Sequence, residues 1–262
     1  MLGVGGYASA PAVVAAKLLK IPTFLHEQNS VPGRANRLAS RFTREVLVTF
    51  PAAVDHLEGA VHVGMPTRGE FFGASRDDGL ARLGLEPPVV LLFGGSGGAL
   101  KLNLAAAEAF GVGETPYSVY QISGRRDFER LSTENPRHRI VAYDDELWHA
   151  LAASDVVVTR SGAGSLFDTA AAGRAAILVP YPYATADHQH HNARYFTDNG
   201  AAELMLDHEV TADSLRVRVE ALLSDRARRE TFSRNMRTLA TPDAAGEVAG
   251  RLLSAAAAKG AA

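Results

Sequence analysis

The sequence predicts an α/β fold built on parallel sheets, in two parts. Three observations carry this. Short Val/Leu/Ile runs alternate with longer alanine-rich amphipathic segments along the chain, the pattern of strands joined by helical crossovers. Several of the short runs are apolar throughout, as strands buried on both faces are. Glycine-rich turns stand where a run meets a helical pattern: GVGGY at 3–7, GGSGGA at 94–99 and SGAG at 161–164.

Taken in order, the chain opens on the first of these turns with no strand in front of it. The helical stretch SAPAVVAAKLLK follows, then IPTFLHE, REVLVTF and AVHVG as strands. The segment GMPTRGEFFGASRDDG, Gly64 to Gly79, is rich in glycine, polar and charged residues and is interrupted by Pro66. It reads as a domain boundary. Only about three strands precede it, fewer than the ~5–6 of a complete doubly wound sheet. The first part is therefore expected to be the later half of a domain whose earlier half is absent.

After the boundary, PVVLLFGGSGGALKLN opens a fresh strand, turn and helix. YSVYQIS, HRIVAYD, DVVVTR, RAAILVPYP and AAELML read as further strands, with LKLNLAAAEAF, DELWHALAAS, SLFDTAAAG and HHNARYFTDNG as helices. Residues from about 70 to 240 should thus hold a parallel sheet of about six strands with helices on both faces. TADSLRVRVEALLS, RARRETFSRNMRTLA and AAGEVAGRLLSAAAA are helical, and the final KGAA is expected to fray. The expected division is 1–66, 67–240 and a helix and tail at 241–262.

Composition sets bounds. The chain has 262 residues, 47% hydrophobic and 21% charged, enough to bury a substantial core. A net charge of −2 gives no electrostatic case for nucleic acid. Without cysteine there is no disulfide framework and no thiolate metal site. No apolar run approaches the ~20 residues of a membrane span, and no basic leader opens the chain. A soluble intracellular globular protein is expected.

Ligands of open α/β sheets bind outside the carboxyl ends of strands. The stretch TRSGAGSLFDTAAAG places a strand end, a tight turn and a helix N-terminus in succession, where backbone N–H groups can hold an anion. It matches neither common phosphate fingerprint. Asp168 lies on the first turns of that helix, where a carboxylate can accept from a ribose diol or merely favour the helix dipole. Arg68 follows a proline turn, and its guanidinium can reach a diphosphate. In DHQHHNA, His188 and His191 share a helix face but His190 points elsewhere. No metal site is assigned there. Gln189 offers both a donor and an acceptor to sugar hydroxyls. FLHEQN crowds His26, Glu27 and Asn29 at a strand's carboxyl end, which packing alone does not require.

Together GVGGYASAP, IPTFLHEQNSVPGRANR, GMPTR, GGSGGALKLN, RSGAGSLFDTAAAGRAAILVPYP and ADHQHHNA resemble the MurG glycosyltransferases, in family order over nearly the whole chain. The resemblance implies a GT-B fold: two Rossmann-like domains facing a cleft, the N-terminal one incomplete here. It implies inverting transfer of N-acetylglucosamine from UDP-N-acetylglucosamine to lipid-linked N-acetylmuramoyl-pentapeptide in peptidoglycan synthesis. No cofactor or metal is implied. The implied setting is peripheral, on the cytoplasmic face of the bacterial plasma membrane.

By the same resemblance, Ala163, Gly164, Ser165, Leu166, Phe167 and Asp168 hold the donor nucleotide sugar, with Asp168 on the ribose. The Tyr143 backbone reads the uracil edge. Ser96 and Arg68 contact the diphosphate, Gln189 the sugar hydroxyls and Asn29 the donor from the other side. His26 and Glu27 are the catalytic candidates, and Tyr7, Asn36, Asn103 and Arg160 line the cleft. Asp168 replaces a family Glu, which shortens its reach by one methylene. A His-containing Gly-rich loop of the family has no counterpart here, so UDP binding is expected with transfer near background. The residues alone also admit an inactive UDP-sugar-binding protein or a UDP-N-acetylglucosamine epimerase of similar fold. The HEQN region disfavours the epimerase. A dinucleotide oxidoreductase is disfavoured because no acidic residue ends a second strand after a G-x-G-x-x-G turn.

Overall fold

The computed structural model describes residues 1–6, 9–95 and 99–260. The chain divides into two compact units. The first is Met1–Thr67 with Pro182–Asn192 and Ala240–Ala262; the second is Arg68–Tyr181 with Ala193–Leu239. From sequence, 182–192 was grouped with the second part and 241–262 stood as a separate tail. Neither return carries a break in composition that a linear pattern would show.

In the first unit, β1 (Leu2–Gly3), β2 (Phe24–Glu27), β3 (Glu45–Val48) and β4 (Ala60–His62) form one parallel sheet in that order. Two helices, α1 (Ser9–Leu18) and α2 (Arg34–Ala39), make the first crossovers. Alternation along β2 and β3 sends Leu25, Val46 and Val48 to one face, where they pack with Val13 and Ala39 of these helices. Phe24 and Leu47 face the other way and pack with Val63 and with Val248 and Ala255 of the last helix, Ala244–Gly260. Burial on both faces explains the successive apolar residues Phe24–Leu25 and Val46–Val48 in these runs. The strand β1 corrects the expectation that none precedes the first turn. Two residues are too few to show a period, and Gly3 is identifiable only from its packing, since a Cβ there would sit 2.9 Å from Val13 Cγ2.

The chain leaves β4 at Gly64, whose φ of +86° is a left-handed conformation. A Cβ there would overlap Thr241, whose hydroxyl accepts from Met65 N–H at 3.0 Å. The expected boundary loop then holds two short helices, α3 (Glu70–Gly73) and α4 (Arg76–Leu83). Ser75 caps α4 by accepting from Asp78 N–H, and Gly84 ends it in the left-handed conformation. Read as a Ser cap followed by two aspartates, SRDD is a helix start rather than a linker.

The second unit carries a six-stranded parallel sheet, β5 (Val89–Phe93), β6 (Ser118–Ile122), β7 (His138–Val141), β8 (Val156–Thr159), β9 (Ala175–Leu178) and β10 (Ala202–Leu204), in the order β10-β9-β8-β5-β6-β7. Its helices are α5 (Leu100–Phe110), α6 (Leu147–Ala153), α7 (Ala163–Ala172), the end of α8 (His188–Asp198), α9 (Ala212–Ser224) and α10 (Arg226–Leu239). Val90, Leu92, Val156, Val158 and Ile177 pack on one face against α5 and α9. Leu91, Val157 and Ala176 alternate to the other face and are fully buried too. The strand order reverses between β5 and β8, so the carboxyl ends of these two strands flank the crevice where open sheets bind ligands.

Candidate active site

Both turns at that crevice are glycine-rich for a geometric reason. Gly95, after β5, has φ +81°, and a Cβ on it would lie 3.9 Å from Ser165 Oγ on α7. The two turns therefore approach each other closely. Ser96 lies outside the described residues, as does Tyr7. On the other side of the crevice, β8 runs through Arg160 and Ser161 to Gly162, the N-cap of α7. Its N-cap is a glycine, so among the described residues no N-cap side chain covers this helix start, and its first turn has no acidic residue. The first intrahelical bond comes from Leu166 N–H to Gly162 C=O, so the N–H groups of Ala163, Gly164 and Ser165 have no intrahelical acceptor.

The six residues 163–168 divide by face. Ala163, Leu166 and Phe167 are buried in the core, with the Phe167 ring edge-on to Phe196 at 5.5 Å. They have only backbone to offer a ligand. Gly164, Ser165 and Asp168 are half-buried and share the outward face at helical spacing. Burial pushes the Asp168 carboxyl up to about 6, against the opposing pull of the Arg68 guanidinium. Among the described residues nothing donates a hydrogen bond to it.

Arg68 is oriented by aromatic faces. Its guanidinium carbon lies 4.9 Å from the Trp148 ring centroid and 5.2 Å from that of Phe71. These two rings meet edge-on at 6.1 Å. The platform was not legible in sequence, because its members come from α3 and α6 and only the fold joins them. Tyr143 is 51% exposed, with the Arg125 guanidinium over its ring at 5.3 Å. The loop around it is pinned by Asp144, which accepts from Tyr120 Oη at 3.0 Å and from Glu146 N–H at 2.9 Å.

Two expected cleft residues have other surroundings. Asn103 is buried in a polar chain: its amide donates to Ser123 C=O and Asp127, and it accepts from Gln121, whose Oε1 meets His138 Nε2 at 3.0 Å. Arg160 is buried, donating to Val179 and Pro180 carbonyls and paired with Asp207 at 2.7 Å. Both tie strand ends together instead of lining open space.

In the first unit, the end of β2 builds a closed cluster. Glu27 is 2% exposed. Its Oε1 accepts from Asn29 N–H at 2.9 Å and its Oε2 from Gly33 N–H at 3.1 Å and Asn36 Nδ2 at 2.7 Å. His26, equally buried, meets Gly64 C=O at 3.0 Å through Nε2, and burial lowers its pKa. Both Glu27 oxygens are spent on holding the loop 27–36, and His26 Nε2 on the end of β4. Asn36 is buried beside Gly5, with its amide carbonyl unpartnered.

Asn192 of α8 completes this cluster. Its Oδ1 accepts from Ser30 N–H and Oγ at 2.9 and 2.8 Å, and its Nδ2 donates to Asn29 Oδ1 at 3.1 Å. It stands in the DHQHHNA motif, three residues beyond Gln189, but its burial was invisible in sequence. Gln189 itself is half-buried on the first turn of α8. The loop leading to it holds Ala186 and Asp187 at φ 53° and 51°. Strained non-glycine residues of this kind concentrate at ligand loops.

Comparison with known proteins adds independent information. Residues 89–248 match the glycosyltransferase family 28 C-terminal domain, and residues 1–48 its N-terminal domain. The UDP-N-acetylglucosamine–N-acetylmuramyl-(pentapeptide) pyrophosphoryl-undecaprenol N-acetylglucosamine transferase of Rubrobacter xylanophilus is 67% identical, over 97% of this chain and 76% of that protein. The transferase of the same name from Desulfitobacterium hafniense is 34% identical, over 95% and 72%. The crystal structure of Acinetobacter baumannii MurG superposes with a TM-score of 0.74 at 28% identity, over 97% of this chain and 72% of that one.

Proposed function

The chain belongs to the MurG family of UDP-N-acetylglucosamine–N-acetylmuramyl-(pentapeptide) pyrophosphoryl-undecaprenol N-acetylglucosamine transferases, and from that premise we propose how its residues carry the transfer. It is a glycosyltransferase of the GT-B type that acts in peptidoglycan synthesis, moving N-acetylglucosamine from UDP-N-acetylglucosamine to lipid-linked N-acetylmuramoyl-pentapeptide. A lipid-linked acceptor places the work at a membrane surface. No helix among the described residues is long and apolar enough to cross one; the contact proposed is peripheral, on the cytoplasmic face.

One observation carries the donor assignment: an uncapped helix start at the β5/β8 crevice, with an unpartnered carboxyl one turn further on. The N–H groups of 163–165 and the positive end of the α7 dipole take the diphosphate. Asp168, ionised, accepts from the ribose hydroxyls. Arg68, held flat on Trp148 and Phe71, adds a cation for the diphosphate. The Tyr143 backbone reads uracil.

In the transfer, the acceptor hydroxyl attacks the anomeric carbon and gives up its proton to the surrounding water as the bond from that carbon to the diphosphate oxygen breaks, with inversion, and UDP leaves. Charge then develops on UDP, where the helix N-terminus is already aimed. Within the first unit, Asn29 and Gln189 keep the donor-contact role of their family counterparts. His26 and Glu27 are positioning residues, not the base. The test is calorimetry with UDP and ADP. UDP should bind more tightly, and Asp168→Ala should weaken UDP binding by ~1–3 kcal/mol. Equal affinity for the two nucleotides would refute uracil recognition at Tyr143.

A further inference from the structure

The opposite pole of the second unit carries a separate concentration of charge. Ser154 and Asp155 lead into β8 and Arg174 leads into β9, so this is the amino-terminal end of the strands, away from the start of α7. An open groove of about 610 Å³ lies there, lined by Arg174 and, on α10, by Arg226, Arg229, Arg234 and Arg237. Its two carboxylates are engaged. Glu230 accepts from Arg226 Nε at 2.7 Å, and Asp155 takes Arg76 and Val89 N–H, each at 2.8 Å. Among the described residues, Arg174, Arg229, Arg234 and Arg237 have no carboxylate within salt-bridge distance.

Helix ends do not account for this charge. The C-termini of α7 and α9 reach the groove, and Arg229 donates to the carbonyls of Leu222 and Leu223. Each such end is worth roughly half an elementary charge, far less than four guanidinium groups. Arg174 donates to Ser154 C=O at 3.2 Å, while its buried Nε has no partner. Burial, with Arg76 and Arg237 nearby, lowers its pKa to about 10. It stays charged at neutral pH, beside other cations. Arg237 lies across Gly173, where any Cβ would overlap its side chain, so the glycine leaves the space this arginine fills.

We propose that this groove is an anion site for a phosphate group, distinct from the donor site at the other end of the sheet. Guanidinium forks match pairs of phosphate oxygens, and Ser233 lines the same groove and adds a hydroxyl. The phosphate can belong to a soluble anion or to a lipid headgroup.

The test titrates pyrophosphate into the full chain at low salt. It compares wild type with Arg174→Gln/Arg237→Gln and with the exposed pair Arg226→Gln/Arg234→Gln, which does not touch the buried guanidinium. The expected result is one pyrophosphate-binding component weakened about tenfold or more in each pair, the loss of charge-assisted bonds, with UDP affinity unchanged. Co-sedimentation with phosphatidylglycerol vesicles then assigns the source. Vesicle binding that is lost in the variants and competed by pyrophosphate identifies a headgroup; pyrophosphate binding without vesicle binding identifies a soluble phosphate. Identical isotherms in wild type and both pairs, or binding of neither probe, would overturn the proposal.

Discussion

Glu27 and Asp168 are two carboxylates near strand ends in this protein, and they are used in opposite ways. Glu27 ends β2 and is closed: donors from its own loop and from α2 fill both of its oxygens. Asp168 follows β8 by a turn and a half of helix and is open: burial raises its pKa to about 6, and nothing described donates to it. A buried polar group left without partners is costly. The first arrangement removes that cost by building a loop, and the second retains it for a ligand to relieve. The difference shows that crowding of polar residues at a strand end does not by itself mark chemistry. What marks it is valence left unfilled.

The largest expected effect breaks the closed side. Glu27→Ala strips the acceptor from several donors of one loop, at ~1–3 kcal/mol for each left unsatisfied. Denaturant unfolding should show a loss of more than about 3 kcal/mol, and Glu27→Gln a smaller one. Unchanged stability in Glu27→Ala would mean that the loop does not depend on this carboxylate. Next, Asn103→Ala interrupts the buried chain from His138 to Asp127 and should cost ~1–3 kcal/mol of stability, with UDP affinity falling less.

The open side predicts a trade. Because burial raises Asp168 from 3.8 to about 6, the folded state holds this proton more tightly than the unfolded chain does. Its contribution to stability is greatest below the unfolded value and is lost as pH rises through about 6. Asp168→Asn should therefore raise the melting temperature at neutral pH and leave it unchanged near pH 4, while weakening donor binding. A variant less stable than wild type at neutral pH would mean that the carboxylate has a structural partner. The smallest effect sharpens the role of Arg68. Trp148→Ala removes one face of its platform, worth ~0.5–1 kcal/mol, and should appear in UDP affinity rather than in uridine affinity.

Much of this was legible in the sequence, for identifiable reasons. Nine strands were read from their Val/Leu/Ile runs, several of them apolar enough to show burial on both faces, and among the described residues the structure adds the two-residue β1. The α7 turn and Asp168 were legible because strand, turn and helix start are contiguous. The hydrogen-bond partners of Glu27, His26, Asn103 and Arg160 were not, because a linear pattern places a polar residue at a strand end without saying which way its valence is filled. Trp148 and Asn192 were missed for a related reason: the groups they touch lie far away along the chain.

The central claim is that the open carboxylate holds the donor in its ionised form. UDP-N-acetylglucosamine suits the test, because its diphosphate has no titrating group near pH 6. Titrated calorimetrically at about pH 7.5 and about pH 5, either side of the Asp168 value of about 6, it should bind wild type about tenfold more weakly at the lower pH, following the ionised fraction. Asp168→Asn should bind weakly at both and show no such dependence. Wild type binding equally at both pH values, or Asp168→Asn binding as tightly as wild type at the higher one, would contradict the account.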